Sequence, residues 1–111
     1  MRKILLALTV LTLVGCATST TSTVPPKDRE LSRTGDLARA AFEDGATAKA
    51  IDLYRKALNR AHAMDDATEI GNTAYNLAMC HTLMGQLDQA SAALAEARSA
   101  FERSGSAPAD M

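Results

Sequence analysis

Tryptophan is absent, and two tyrosines with two phenylalanines make up only 4% of the 111 residues. A catalytic pocket in so small a chain would have few aromatic walls. An excess of one charge is missing too. Twelve basic against 13 acidic residues give a formal net charge of −1, without the basic surplus of a nucleic-acid binder. Proline is scarce, with two of its three residues adjacent at Pro25-Pro26. No apolar run reaches the roughly 20 residues needed to span a bilayer. There is no phosphate-binding glycine loop, nucleophile elbow or zinc motif. These absences argue against an enzyme and against any cofactor or metal. Alanine is abundant instead, at 22 residues. It is the strongest helix former, so the composition leans all-α, within a length that allows one small domain.

The first stretch reads as an address. Arg2 and Lys3 precede an apolar run from Ile4 to Val14, followed by Gly15 and Cys16. That is the layout of a secretory signal. Leu13-Val14-Gly15-Cys16 resembles a bacterial lipobox. The resemblance implies a signal peptide over 1–15 and a lipid (palmitate among its acyl chains) on the sulfur of Cys16, the first mature residue. Ala17 follows rather than Asp, a pattern associated in two-membrane bacteria with the outer membrane, periplasmic side. Ala17 to Pro26 is mostly Ser, Thr and Pro, without apolar periodicity, so 16–27 reads as the acylated cysteine and a disordered tether. Its 11 residues from Ala17 to Lys27 reach up to ~40 Å when extended.

From Asp28 onward the pattern is helical. The first helix is expected from Asp28 to Asp44, with Leu31, Leu37, Ala38, Ala41 and Phe42 inward. Gly35 inside it costs about 1 kcal/mol relative to alanine, and Gly45 ends it as a left-handed cap. The second helix, Ala46 to Met64, carries Ala50, Tyr54, Ala57 and Ala61, with Leu53, Leu58 and Met64 alongside. Asp52 faces Lys56 one turn on. Asp66 with Glu69 fits a capping box for a third helix ending at Met84, whose inward stripe is Ile70, Ala74, Leu77, Ala78 and His81. Gly85 stops it. The fourth runs from Leu87 to about Ser104 on Leu87, Ala90, Leu94, Ala97 and Phe101. The helical domain is thus 28–104, with hairpins at about 28–64 and 66–104. Residues 105–111 are expected to be a disordered tail.

A period underlies these helices. Leu37-Ala38, Gly45, Ala50, Tyr54 and Ala57 recur 40 residues later as Leu77-Ala78, Gly85, Ala90, Leu94 and Ala97. Leu-Ala with a glycine seven residues after the alanine, then small and large residues in turn, resembles the tetratricopeptide repeat. The longer period, against about 34 residues in the common form, is similar to the long-helix variant of kinesin light chains. The resemblance implies an all-α fold of two antiparallel hairpins stacked as an α-solenoid fragment. A plain four-helix bundle with a duplicated sequence is the alternative.

The resemblance also implies a groove lined by the first helix of each hairpin. On the third helix, Asn72, Tyr75, Asn76, Met79 and Leu83 form a second stripe beside the inward one. A helix with two such stripes is either deeply buried or presents one to a partner. In related repeats an asparagine just before Leu-Ala hydrogen-bonds the backbone of a bound peptide, and Asn76 takes that position. Ser32, Asp36, Arg39, Phe42 and Glu43 are the matching residues of the first hairpin, a mixture suited to a partly charged ligand. Packing of Tyr75 and Met79 against the first hairpin is the competing reading.

Other candidate sites are weaker. Cys80 is a lone thiol among apolar neighbours and reads as a small buried residue. It points about 100° from His81, so the two do not share a metal face. His62, Met64, His81 and Met84 have no ligand spacing, and Asp65-Asp66 reads as a turn. The expected function is therefore a membrane-anchored adaptor that binds a peptide or envelope protein. The alternatives are a structural subunit self-associating (as a homodimer) through its alanine-rich fourth helix, or a pilotin-like assembly factor.

Overall fold

A computed structural model describes residues 28–105. The signal peptide, Cys16, the tether and residues 106–111 lie outside the described residues. Four helices follow one another: α1 (Arg29–Glu43), α2 (Thr47–Ala63), α3 (Ala67–Leu83) and α4 (Leu87–Ser104). Packing runs α1 on α2, α2 on α3 and α3 on α4. No comparable packing joins α1 to α4 among the described residues. The architecture is an open stack of two hairpins, not a closed bundle.

All three turns have the same geometry. Gly45, Asp65 and Gly85 adopt φ of +80°, +51° and +71°. In each case the next N–H returns to a carbonyl five residues back: Ala46 to Ala41 at 2.8 Å, Asp66 to Ala61 at 3.1 Å and Gln86 to His81 at 2.9 Å. The left-handed residue itself donates to a carbonyl three residues back, at 3.0 Å in every case. This is the Schellman ending, which satisfies the helix's last carbonyls and reverses the chain. The turn within each hairpin and the turn between hairpins are therefore alike, and the 40-residue period divides into two 20-residue steps. Among the described residues, Asp65 is the one position where a residue other than glycine adopts the left-handed conformation. Aspartate is among the few residues that visit it, and the sequence pattern does not announce it.

Asp66 caps α3 through Oδ1, which accepts from Glu69 N at 3.1 Å. The reciprocal half of the expected capping box does not form. The Asp66 N–H is already committed to Ala61, so it is not available to the Glu69 carboxylate. The expected Asp52–Lys56 pair is likewise not among the ion pairs that form.

Small residues govern the packing. Ala38, Ala50, Ala61, Ala74 and Ala100 are completely buried, which lets the helix backbones approach closely. Larger side chains fill what remains: Leu31, Ile51, Tyr54, Leu58, Ile70, Leu77 and Phe101. His81 is buried as expected, and its Nδ1 donates to Gln86 Oε1 at 2.7 Å across the last turn. Four residues expected inside are exposed: Leu37, Met64, Leu87 and Leu94. Met64 and Leu87 flank turns. Leu37 and Leu94 lie on outer helix faces where no further helix packs among the described residues. The buried stripe of α4 is Ala90, Ala93, Ala97, Ala100 and Phe101 instead.

Two contacts invisible in the pattern complete the fold. The ring of Phe101 lies over Gly71, where an added Cβ would sit 2.7 Å from Cε1 of the ring. Only glycine fits there, whereas at Gly35 a Cβ would meet nothing within 4 Å. Second, Asp28 caps α1 by accepting from Leu31 N at 2.8 Å while gripping the end of α2. Arg60 Nε donates to Oδ1 at 3.2 Å and Nη2 to Oδ2 at 2.9 Å. This two-pronged contact and the capping bond hold the Asp28 carboxyl at about 2 instead of the ordinary 3.8.

The two helical glycines are expected to respond in opposite directions. Gly71→Ala should lower stability to urea by about 1–2 kcal/mol through overpacking. Gly35→Ala should raise it by about 0.5–1 kcal/mol through helix propensity. Equal shifts in the same direction would contradict the packing at Phe101. For Asp28 the folded pKa is depressed, so the unfolded chain takes up protons first on acidification. Its contribution is complete above the ordinary carboxylate value and disappears as pH falls from about 4 towards about 2. In a carboxyl NMR titration, Arg60→Met should move the Asp28 midpoint up toward 3.8, with the Leu31 capping bond still holding part of the depression.

Candidate binding groove between the first and third helices

α1 and α3 flank a gap on one side of the stack, and Tyr54 of α2 borders it between them. The residues facing this gap recur at three- and four-residue steps: Ser32, Asp36, Arg39 and Phe42 on α1, and Glu69, Asn72, Asn76 and Met79 on α3. That spacing places each set on a single helix face. Two adjoining depressions result. The larger, of about 270 Å³, is polar-walled by Asp36, Arg39, Asn72 and Glu69. The smaller, of about 120 Å³, is walled chiefly by Phe42, Tyr75 and Met79. Tyr54, Tyr75 and Asn76 border both.

The polar groups of the groove are largely uncommitted. Asn72 and Asn76 have no side-chain hydrogen-bond partner among the described residues, although Asn76 is half-buried. Each amide keeps both a donor and an acceptor to offer. Asp36 and Arg39 form an exposed pair at 3.5 Å, a contact that is weak in water and readily exchanged. Tyr54 reaches the groove from α2. Burial, reinforced by the neighbouring Cys80, pushes its hydroxyl above its ordinary range, so the phenol remains a neutral donor at neutral pH. Cys80 is completely buried, and burial pushes its thiol up as well. That suits a packing residue rather than a nucleophile.

The structure thus brings together Arg39, Phe42, Asn72, Tyr75, Asn76 and Met79. It does not bring in Leu83, which lies one turn past Met79, is 65% exposed and borders neither depression. Glu43 also borders neither. Tyr75 and Phe42 serve in two ways: each packs on the core and each walls the groove. Tyr54 and Gly35 are groove residues that the sequence reading missed. Tyr54 falls on the core stripe of α2, and only the placement of α2 beside the gap reveals its second surface. Gly35 reads in sequence as a helix liability, yet its missing side chain is what leaves the α1 wall open. His62 faces Glu96 of α4 and His81 faces Gln86, so the two histidines are engaged apart.

Repeated helix–turn–helix units, identical turns and a groove along one helix of each unit define a helical-repeat protein. The family model of the tetratricopeptide repeat matches residues 30–103, and the chain belongs to that family. No curated protein and no solved structure matches it. Repeats of this family generally mediate protein–protein interaction and are typically non-catalytic. No helix among the described residues is long and apolar enough to cross a membrane.

Proposed function

We propose that this protein is a lipid-anchored interaction module of the bacterial envelope, which binds a short peptide segment of a partner protein between α1 and α3. The observation that carries the reading is the pair of uncommitted amides at Asn72 and Asn76 beside an apolar recess. An extended peptide presents alternating N–H and C=O groups. Each amide can donate to one and accept from the next, at a net gain of about 1 kcal/mol per bond. A side chain of the peptide would enter the recess between Phe42, Tyr75 and Met79, where methionine adapts to its shape. Asp36, Arg39 and Glu69 would select for a charged residue beside it. The groove holds only a few side chains, so the reading implies modest affinity.

Anchoring rests on the sequence before residue 28: the basic start, the short apolar run and Leu13-Val14-Gly15-Cys16. Two or more acyl chains on one cysteine give stable membrane attachment. The Ser/Thr/Pro stretch then spaces the repeats from the surface, on the periplasmic side of the outer membrane in a two-membrane host.

Co-purification from detergent-solubilised membranes tests the groove. The wild type should retain a partner that the Asn76→Ala, Met79→Ala double variant loses, with at least a tenfold fall in capture. The helical circular dichroism of the two should be the same. Equal capture by both would reassign Tyr75 and Met79 to packing and defeat the groove reading. Mass spectrometry of the membrane-derived chain tests the anchor. The expected result is a mature chain beginning at an acylated Cys16, with Cys16→Ser remaining unprocessed. A mature chain without acyl groups would overturn it.

A further inference from the structure

The two hairpins repeat each other at a 40-residue step. Each contact between them therefore indicates what a further hairpin would meet at either end of the stack. On the second hairpin, Leu77, Cys80 and Ala93 are buried. Forty residues earlier, their counterparts Leu37, Ala40 and Leu53 border an open, mainly apolar depression of about 220 Å³ on the outer side of the first hairpin. Leu37 is 50% exposed where Leu77 is 6%. At the other end, Tyr54 is buried on the side facing the second hairpin, while its counterpart Leu94 is exposed. The described stack thus has two outer faces of unlike composition, each built like a surface that is covered inside the stack.

Charge indicates what covers them. Within the chain, His62 of α2 pairs with Glu96 of α4, linking the second helices of the two hairpins. Shifted forward by 40, the position of His62 is Glu102. Shifted back by 40, the position of Glu96 is Lys56. Both are exposed, and they carry opposite charges. A basic partner at 102 with a basic 56, or an acidic pair, would have opposed such stacking. We propose that a second copy of this chain stacks head to tail on the first, its Leu94 and Glu102 against Leu37 and Lys56 of its neighbour. The inference does not depend on the peptide reading.

The apolar faces supply the attraction. The exposed charge pair, individually weak, sets the register and excludes wrong partners. The contact is heterologous: the pair keeps one unused face of each kind. Assembly therefore extends beyond a dimer unless it closes into a ring. Stacking also carries the α1–α3 groove from one copy to the next.

Sedimentation velocity of the full chain in detergent, over a hundredfold range of concentration, tests this. Variants are first matched to the wild type by circular dichroism. The wild type should grow in size with concentration. Lys56→Glu alone and Glu102→Lys alone should each associate about tenfold more weakly. An equimolar mixture of the two, and the double variant, should recover wild-type assembly, because opposite charges again face each other across copies. A wild type that remains monomeric throughout overturns the proposal. So does a dimer indifferent to both substitutions, which marks a two-fold contact elsewhere. If assembly begins only when residues before Asp28 are removed, the outer face of α1 is covered by that segment and the proposal also fails.

Discussion

The rest of the structure depends on the left-handed residue that ends each helix. Without a backbone reversal after α1, α2 and α3, the chain could not return on itself within three residues. Gly45, Asp65 and Gly85 supply it at 20-residue intervals, and each reversal satisfies carbonyls that would otherwise be left open. Because the same turn is used within and between hairpins, every helix meets the next in a similar antiparallel relation. The stack, its two ends and its groove follow from that repetition.

Alanine then decides how near the helices lie. The buried alanines of α1, α2, α3 and α4 carry no bulk to hold the helix backbones apart. Gly71 under Phe101 is the extreme case. The larger apolar residues are consequently few, and several of them border a surface. Tyr75 and Phe42 pack on the core and wall the groove at once. In so thin a stack a core residue is seldom far from a face, which is why a groove needs no dedicated loop. The polar capacity of Asn72 and Asn76 is exposed there because both neighbouring helices are already satisfied by their own backbone bonds.

The thinness also explains the uneven ends. A two-hairpin array covers one inner interface and leaves two outer ones. Leu37 and Leu94 show this most clearly: both match the apolar pattern, and both lie open because no other described helix packs on their side. Asp28 and Arg60 hold the first hairpin together at its open end, where packing from one side alone is least.

The sequence by itself determined the helices, their breaks and the repeat. Periodicity, Gly45 and Gly85, and the acidic pair at Asp65-Asp66 are local signals, and local backbone chemistry acts on them directly. Residues at three- and four-residue steps share a face wherever the helix goes, so Arg39 with Phe42, and Asn72 with Asn76 and Met79, were already grouped by their spacing. Tertiary structure alone decided which faces meet. It exposed Leu37 and Leu94 despite their apolar character, turned Tyr54 towards the groove as well as the core, and left Leu83 outside. It also withheld the second half of the Asp66–Glu69 cap by assigning the Asp66 N–H to Ala61. It brought Asp28 to Arg60, 32 residues on. The reason is physical: a helical pattern specifies which residues lie together on one helix, while burial depends on whether another element arrives to cover them.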